Sequence, residues 1–222
     1  MMIAYLSLPL AYLIGSIPSG LLVVRLTTGK DVRQIESGRT GGTNAMRAAG
    51  TLAGLLTALL DMLKGAAAVW LSQTLSAGIV WTTAVSGVLA VVGHNYSAFL
   101  IEKNENGKLR FRGGAGGATT LGAAIGLWLN SWMFILPFAI ICYVFVGYAS
   151  LTTISIAVSA MAVFIFRAAK GMNPWAYALF GAAALLAVII ALLPNLKRLK
   201  EGTERRVQLL ARIFKGKRNQ EE

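Results

Sequence analysis

Apolar residues in this chain come in long blocks, with neither the two-residue alternation of a half-buried strand nor the single stripe of a surface helix. The blocks cover residues 3–24, 51–75, 77–101, 118–134, 135–148, 149–166 and 174–194. A bilayer core about 30 Å thick takes roughly 20 residues of helix, so runs of this length predict transmembrane helices. From Thr119 to Phe166 the chain is almost continuously apolar, too long for one or two unfolded-back spans. Asn130-Ser131, Pro137 and Gly147-Tyr148-Ala149-Ser150 offer breaks, and three short helices are preferred there over two longer ones. The pattern therefore predicts an all-α polytopic membrane protein of seven spans, with six as the alternative. The first block has no basic lead-in and no small-residue cleavage site, which favours a retained helix over a cleaved signal.

Charge sharpens this picture. Only 14% of the 222 residues are charged and 56% are hydrophobic, which excludes an ordinary soluble domain. The formal charge of +12 comes from cations between the apolar blocks, an arrangement suited to anionic headgroups and cytoplasmic loops and not to nucleic acid. Loops 25–50 and 102–117 and the chain after 194 hold eighteen of the 21 Lys and Arg residues. That bias puts these three segments in the cytoplasm and the N-terminus outside, and it requires an odd number of spans. The expected organisation is a membrane domain over 1–194, including both loops, and a basic cytoplasmic tail over 195–222. Within the tail, LLARIFKGKR has the spacing of a helix lying at the interface. One cysteine, Cys142, and one histidine, His94, leave no disulfide framework, no metal cluster and no expected cofactor.

Two loops look like more than connectors. TTGKDVRQIESGRTGGTNAMRAAG (27–50) and KNENGKLRFRGGAGGATTLG (103–122) both end in Gly, Thr and Asn clusters that run into the next helix. Backbone amides in such turns form anion-binding nests, and a helix N-terminus adds free N–H groups. With the tail, three elements on one membrane face offer phosphate-binding groups beside apolar helices, which suits a substrate that is anionic at one end and greasy at the other. Asp61 and Lys64 are the only charges inside a long apolar run; three residues apart on a helix, they either neutralise one another or act in function. His94 reads as an interfacial histidine or a general base, Arg47 as a loop anchor or an anion ligand, and Ser37 as a turn hydroxyl or a substrate contact.

SIPSG at 16–20, GKDVRQIESGRTGGTNAMRAAG at 29–50, DMLKG at 61–65, GHNYSAF at 93–99, GGAGGAT at 113–119 and NLKRLKEGTE at 195–204 together resemble the bacterial acyl-phosphate-dependent glycerol-3-phosphate acyltransferases. The likeness runs over residues 1–206. It implies a seven-helix enzyme of the plasma membrane, acting in phospholipid synthesis at its cytoplasmic face. The implied reaction moves an acyl group from acyl phosphate to the sn-1 hydroxyl of glycerol 3-phosphate, giving lysophosphatidate and phosphate. By the same resemblance Ser37 and Arg47 hold the glycerol phosphate, Asn195 helps to position it, and Gly113, Gly114, Gly116 and Thr119 shape the cradle for the donor phosphate. Thr43, Asn44, Asp61, Lys64, Gly93 and His94 match positions around the site. Four residues depart from the family pattern: Arg39 stands in place of an asparagine, Ser97 of a proline, Ala115 of the lysine in GGKG, and Leu192 of a histidine. Arg39, or one of Lys108, Arg110 and Arg112, is the candidate to replace the missing lysine. An acyl phosphate carries its own leaving group, so no covalent intermediate is needed, and no G-x-S-x-G elbow occurs. A divergent noncatalytic lipid-phosphate binder and a small transporter are the alternatives. The oligomeric state stays open, with a monomer preferred.

Overall fold

The computed structural model describes residues 2–103 and 107–207. It is helical apart from one short hairpin. Helices α1 (Met2–Ser16) and α2 (Ser19–Thr28) come from the first apolar block. They are separated at Ile17-Pro18, because proline has no N–H and its ring disfavours helix at the preceding residue. After a short turn at Val32–Gln34 come α3 (Gly42–Ala49), α4 (Thr51–Leu75) and α5 (Val80–Asn95). Strands β1 (Ile101–Lys103) and β2 (Leu109–Phe111) pair antiparallel with Glu102 opposite Arg110. Then follow α6 (Gly117–Leu127), α7 (Trp132–Ile141), α8 (Ala149–Ala169) and α9 (Trp175–Lys200).

The structure corrects several sequence boundaries. The span expected at 77–101 is helical only from Val80 to Asn95, because Tyr96–Leu100 turn back to hydrogen-bond Arg112, the residue that follows β2: Ser97 N–H donates to Arg112 O and Arg112 N–H to Leu100 O. Loop 25–50 contains the helix α3, and loop 102–117 the hairpin. The break expected near residues 134 and 135 falls instead at Trp128, whose backbone is extended. Asn130-Ser131 opens the next helix as a tight turn, and Pro137 lies inside α7 without ending it. The run continues through a wide π-turn at Cys142–Val146 and stops at Gly147, which is left-handed at φ 75°. α9 carries past Pro194 to Lys200, so the first residues of the expected tail are its last turns. LLARIFKGKR lies outside the described residues.

Among the described residues, five helical stretches are long and apolar enough to cross a membrane: Ile3–Thr28, Thr51–Leu75, Leu129–Val146, Ala149–Ala169 and Trp175–Lys200. α6 is a shorter apolar helix packed against α4 and α8. The outward faces are large and apolar, with Leu52 80% and Phe145 78% exposed, as a lipid-facing surface requires. Inside, Ala, Gly, Ser and Thr predominate, since helices without a hydrophobic drive toward one another associate by close backbone contact. The α4–α6 seam is the clearest case: a side chain at Gly122 would strike the Met62 carbonyl, and one at Gly65 the Thr119 carbonyl.

The Ile17-Pro18 break frees backbone carbonyls at membrane depth, and side chains satisfy them. Lys64 Nζ donates to Ile17 O at 2.7 Å and Ser97 Oγ to Ser16 O at 2.6 Å. Ser97 thus has a defined use. On the basic face Glu102 joins the hairpin to the first loop, accepting from Arg33 Nη1 at 2.7 Å and Arg112 Nε at 2.6 Å.

Gly122→Val is expected to destabilise the protein by about 3 kcal/mol through overpacking of the α4–α6 seam. Leu59→Val, on the lipid face, is expected to cost less than about 0.5 kcal/mol. Thermal midpoints in detergent check both; equal midpoints would mean that the seam is looser than described.

Candidate active site

The loop-bearing ends of the helices surround a cavity of about 670 Å³. Its walls come from the first loop and α3 (Ser37, Arg39, Thr43, Arg47), the turn before α6 (Ala115, Gly116, Gly117), α4 and α8 (Leu55, Ala58, Ile156), and the end of α9 (Leu192, Asn195, Arg198). All three basic segments marked in the sequence meet here.

Two helix starts face the cavity without side-chain caps. In α3, Asn44 and Ala45 N–H both bond to Gly41 O, which leaves the amides of Gly42 and Thr43 without intrahelical acceptors. In α6 the first helical bond runs from Thr120 N–H to Gly116 O at 2.8 Å, leaving those of Gly117, Ala118 and Thr119. Gly116 makes this turn at φ 88°, a left-handed conformation that glycine adopts without strain. Such amides, at the positive end of a helix dipole, bind oxyanions.

Among the described residues, four arginines line the cavity: Arg39, Arg47, Arg198 and Arg205. Against them stand Glu36, which pairs with Arg205, and Glu204, which accepts from Asn195 Nδ2 at 3.1 Å. Asp61 also reaches the cavity but is held by Lys64 at 2.9 Å. With that pair neutralised, four cations face two carboxylates across the lining. Burial holds the Arg47 guanidinium below its ordinary pKa, with Tyr143 opposing that effect. Arg39 is lowered too, first by burial and then by the like charge of Arg198. Both are cations short of negative partners, as suits a site for anions.

Other residues singled out from the sequence fall into two groups. Ser37, Thr43, Arg47 and Asn195 stand on the cavity wall, as does Gly116. Asn44 also reaches it, but its Nδ2 is spent on the carbonyls of Val32, Ile35 and Arg39 at 2.8–2.9 Å, which shapes the first loop. Lys64, Gly113, Gly114 and Thr119 stand behind the wall. Lys64 is bound to Asp61 and Ile17; Thr119 is buried toward Gly65 of α4; Gly93 packs on the Tyr12 carbonyl of α1. The His94 ring is buried between Asp61, 3.5 Å from Nδ1, and Gly114, where any side chain would collide with Nε2. Gly113 lies over the His94 carbonyl, and Gly114 N–H donates to it at 2.8 Å. His94 thus braces the glycine turn.

Two site residues escaped the sequence reading, Arg198 and Tyr143, and the tail expected at the site takes a course that the sequence did not show. Arg198 follows Leu192 and Asn195 at three-residue steps, so helical phase alone distinguishes it from its exposed neighbour Lys197. Tyr143 enters from the π-turn, which no local signal marks. Residues 201–207 cross the cavity mouth: Arg205 pairs with Glu36, Arg206 Nε donates to Tyr148 Oη at 3.1 Å, and Val207 N–H to Gly147 O at 2.6 Å.

Residues 5–202 match the family model described as glycerol-3-phosphate acyltransferase. The chain is 38% identical over 205 residues to glycerol-3-phosphate acyltransferase 2 of Moorella thermoacetica, covering 91% of this chain and 96% of that one. It is 39% identical over 204 residues to a glycerol-3-phosphate acyltransferase of Thermus thermophilus, covering 90% and 94%. Its fold is similar to the crystal structure of PlsY (YgiH), an integral membrane glycerol 3-phosphate acyltransferase in its glycerol 3-phosphate form. That likeness has a TM-score of 0.79 and 30% identity, covering 95% of this chain and 98% of the other.

Asp61→Ala leaves the buried Lys64 ammonium with only a carbonyl, and a loss of about 3 kcal/mol is expected. Replacing both charges (Asp61→Leu with Lys64→Met) is expected to cost less, because no unpaired ion remains. Thermal unfolding of the single and double variants in detergent checks the ranking, and a double variant worse than Asp61→Ala would contradict it.

Proposed function

Because the chain belongs to the glycerol-3-phosphate acyltransferase family, we propose that it acylates the sn-1 hydroxyl of glycerol 3-phosphate from acyl phosphate, within a bacterial plasma membrane. One observation carries the reading on physical grounds: uncapped helix starts and arginines share a single cavity with the apolar residues Met46, Leu55, Ala58 and Ile156. A ligand with a phosphate head and an acyl chain satisfies both kinds of wall.

The acceptor hydroxyl oxygen attacks the acyl carbonyl carbon, forming the ester C–O bond. The bond from that carbon to the phosphate oxygen breaks, and its electron pair leaves with phosphate, which takes up the hydroxyl proton. Ester and hydrogen phosphate are the products, and no cofactor or protein nucleophile takes part. The protein's share is alignment of the two substrates and stabilisation of charge on the departing phosphate. Arg47 and Ser37 hold the acceptor phosphate, with Asn195 and the α3 amides beside them. The amides opening α6 take the donor phosphate. His94 serves as a positioning residue: wedged behind Gly114, it fixes the turn that presents those amides, and Asp61 orients its ring. The topology that fits the charge distribution has seven crossings, α5 and α6 supplying the two short ones. The N-terminus is then outside, and the cavity opens to the cytoplasm, where glycerol 3-phosphate is available.

Purified protein in detergent, given a long-chain acyl phosphate and labelled glycerol 3-phosphate, is expected to release lysophosphatidate and phosphate one to one. Arg47→Ala is expected to lower kcat/KM by about 1.5–3 kcal/mol, the worth of a charged hydrogen bond, mainly through KM for glycerol 3-phosphate. Absence of product with every acyl phosphate tried would overturn the reaction, and an unchanged KM for the acceptor in Arg47→Ala would overturn that residue's assignment.

A further inference from the structure

Arg39 joins the first loop, the glycine turn and α9 through one side chain. Its Nη1 donates to Gly114 O at 2.8 Å, its Nε to Asn195 Oδ1 at 3.3 Å, and its Nη2 to Ala191 O. A guanidinium has five N–H groups in one plane, so these three bonds leave one on each terminal nitrogen. Each of these two N–H groups can donate to a phosphate oxygen. The acceptors already engaged are all neutral, and no carboxylate among the described residues lies within ion-pairing distance of Arg39. Its charge is held in place by three neutral oxygens and offset by none of them.

The flanking side chains cannot do this work. Ala115 follows Gly114 and Leu192 follows Ala191; both line the cavity, and neither can donate a hydrogen bond or carry charge. Where the turn approaches α9, the cation that hydrogen-bonds both, at Gly114 and at Ala191, comes from the first loop. We propose that Arg39 binds the phosphate of the acyl donor, and that its grip on Gly114 and Ala191 sets the spacing between the glycine turn and α9 so that this phosphate bridges the Arg39 fork and the α6 amides. Arg47 lies on α3, within electrostatic reach of Tyr143, and serves the acceptor. The two arginines thus divide the two phosphates between them. The assignment rests on the acyl-phosphate reading given above.

Steady-state kinetics with a long-chain acyl phosphate and glycerol 3-phosphate varied in turn separate the two ideas. An inactive wild type overturns the reaction itself and Arg39's role with it. With an active wild type, Arg39→Ala is expected to raise KM for acyl phosphate by at least about tenfold while KM for glycerol 3-phosphate moves less than about threefold. Arg39→Gln keeps a side chain able to hydrogen-bond but carries no charge, and is expected to resemble Arg39→Ala; recovery of the donor KM in Arg39→Gln would mean a purely structural role and overturn the proposal. Adding Ala115→Lys to Arg39→Ala returns a cation to the same corner and is expected to recover at least about threefold of the lost donor affinity. A donor KM unchanged in Arg39→Ala, or an acceptor KM raised in its place, would overturn the assignment while leaving the reaction standing. If Arg39→Ala does not fold, Arg39→Gln and Arg39→Lys carry the same comparison, with Lys expected to fall between Gln and wild type.

Discussion

A charge at membrane depth has to find a partner there, and in this protein that requirement organises the helices around the site. Lys64 reaches both Asp61 on its own helix and the Ile17 carbonyl at the break in the first span. Asp61 in turn faces His94 on α5, and His94 is wedged against the glycine turn that opens α6. One chain of polar contacts therefore runs from the first helix to the turn. Its ionisable members are buried. Their value lies in fixing positions, since a buried ion pair adds little net stability over apolar packing.

The site is then built from backbone as much as from side chains. Helix starts without caps would be unfavourable in a soluble core, where the free amides would need water or a side chain. Here the unused hydrogen-bonding capacity is the binding capacity, and glycine is used because nothing larger could leave the amides exposed next to His94. The arginines supply charge, and their partial burial makes that charge more effective by removing it from bulk screening. Apolar walls from α4 and α8 complete a cavity divided between oxyanion and hydrocarbon chemistry.

The departures at Arg39, Ser97, Ala115 and Leu192 take on physical meaning in three dimensions. Ser97 satisfies a carbonyl of the broken first span. Arg39 crosses from the loop to contact Gly114 and Ala191, each one residue from a position that carries no polar group. Along the chain, Arg39 is one of four cations that could replace the lysine missing at Ala115, and Leu192 is not connected to either. In the folded protein they share one corner.

The chain by itself determined that this is a helical membrane protein with a basic face, because block hydrophobicity and the placement of cations are local properties that need no knowledge of neighbours. It also marked both glycine-rich turns and the cations around them. Boundaries were less legible: Pro137 lies within a helix, whereas Trp128 marks a break, since packing against α4 and α8 decides where α6 ends. The hairpin was missed because three-residue strands held by Glu102 have no periodicity of their own. What only the tertiary structure decided is the division of labour among candidates. Lys64, Thr119 and Gly114 stand behind the wall, whereas Arg198 and Tyr143 stand on it. Which face of a helix meets the cavity depends on contacts between residues far apart in the chain, and no local pattern encodes them.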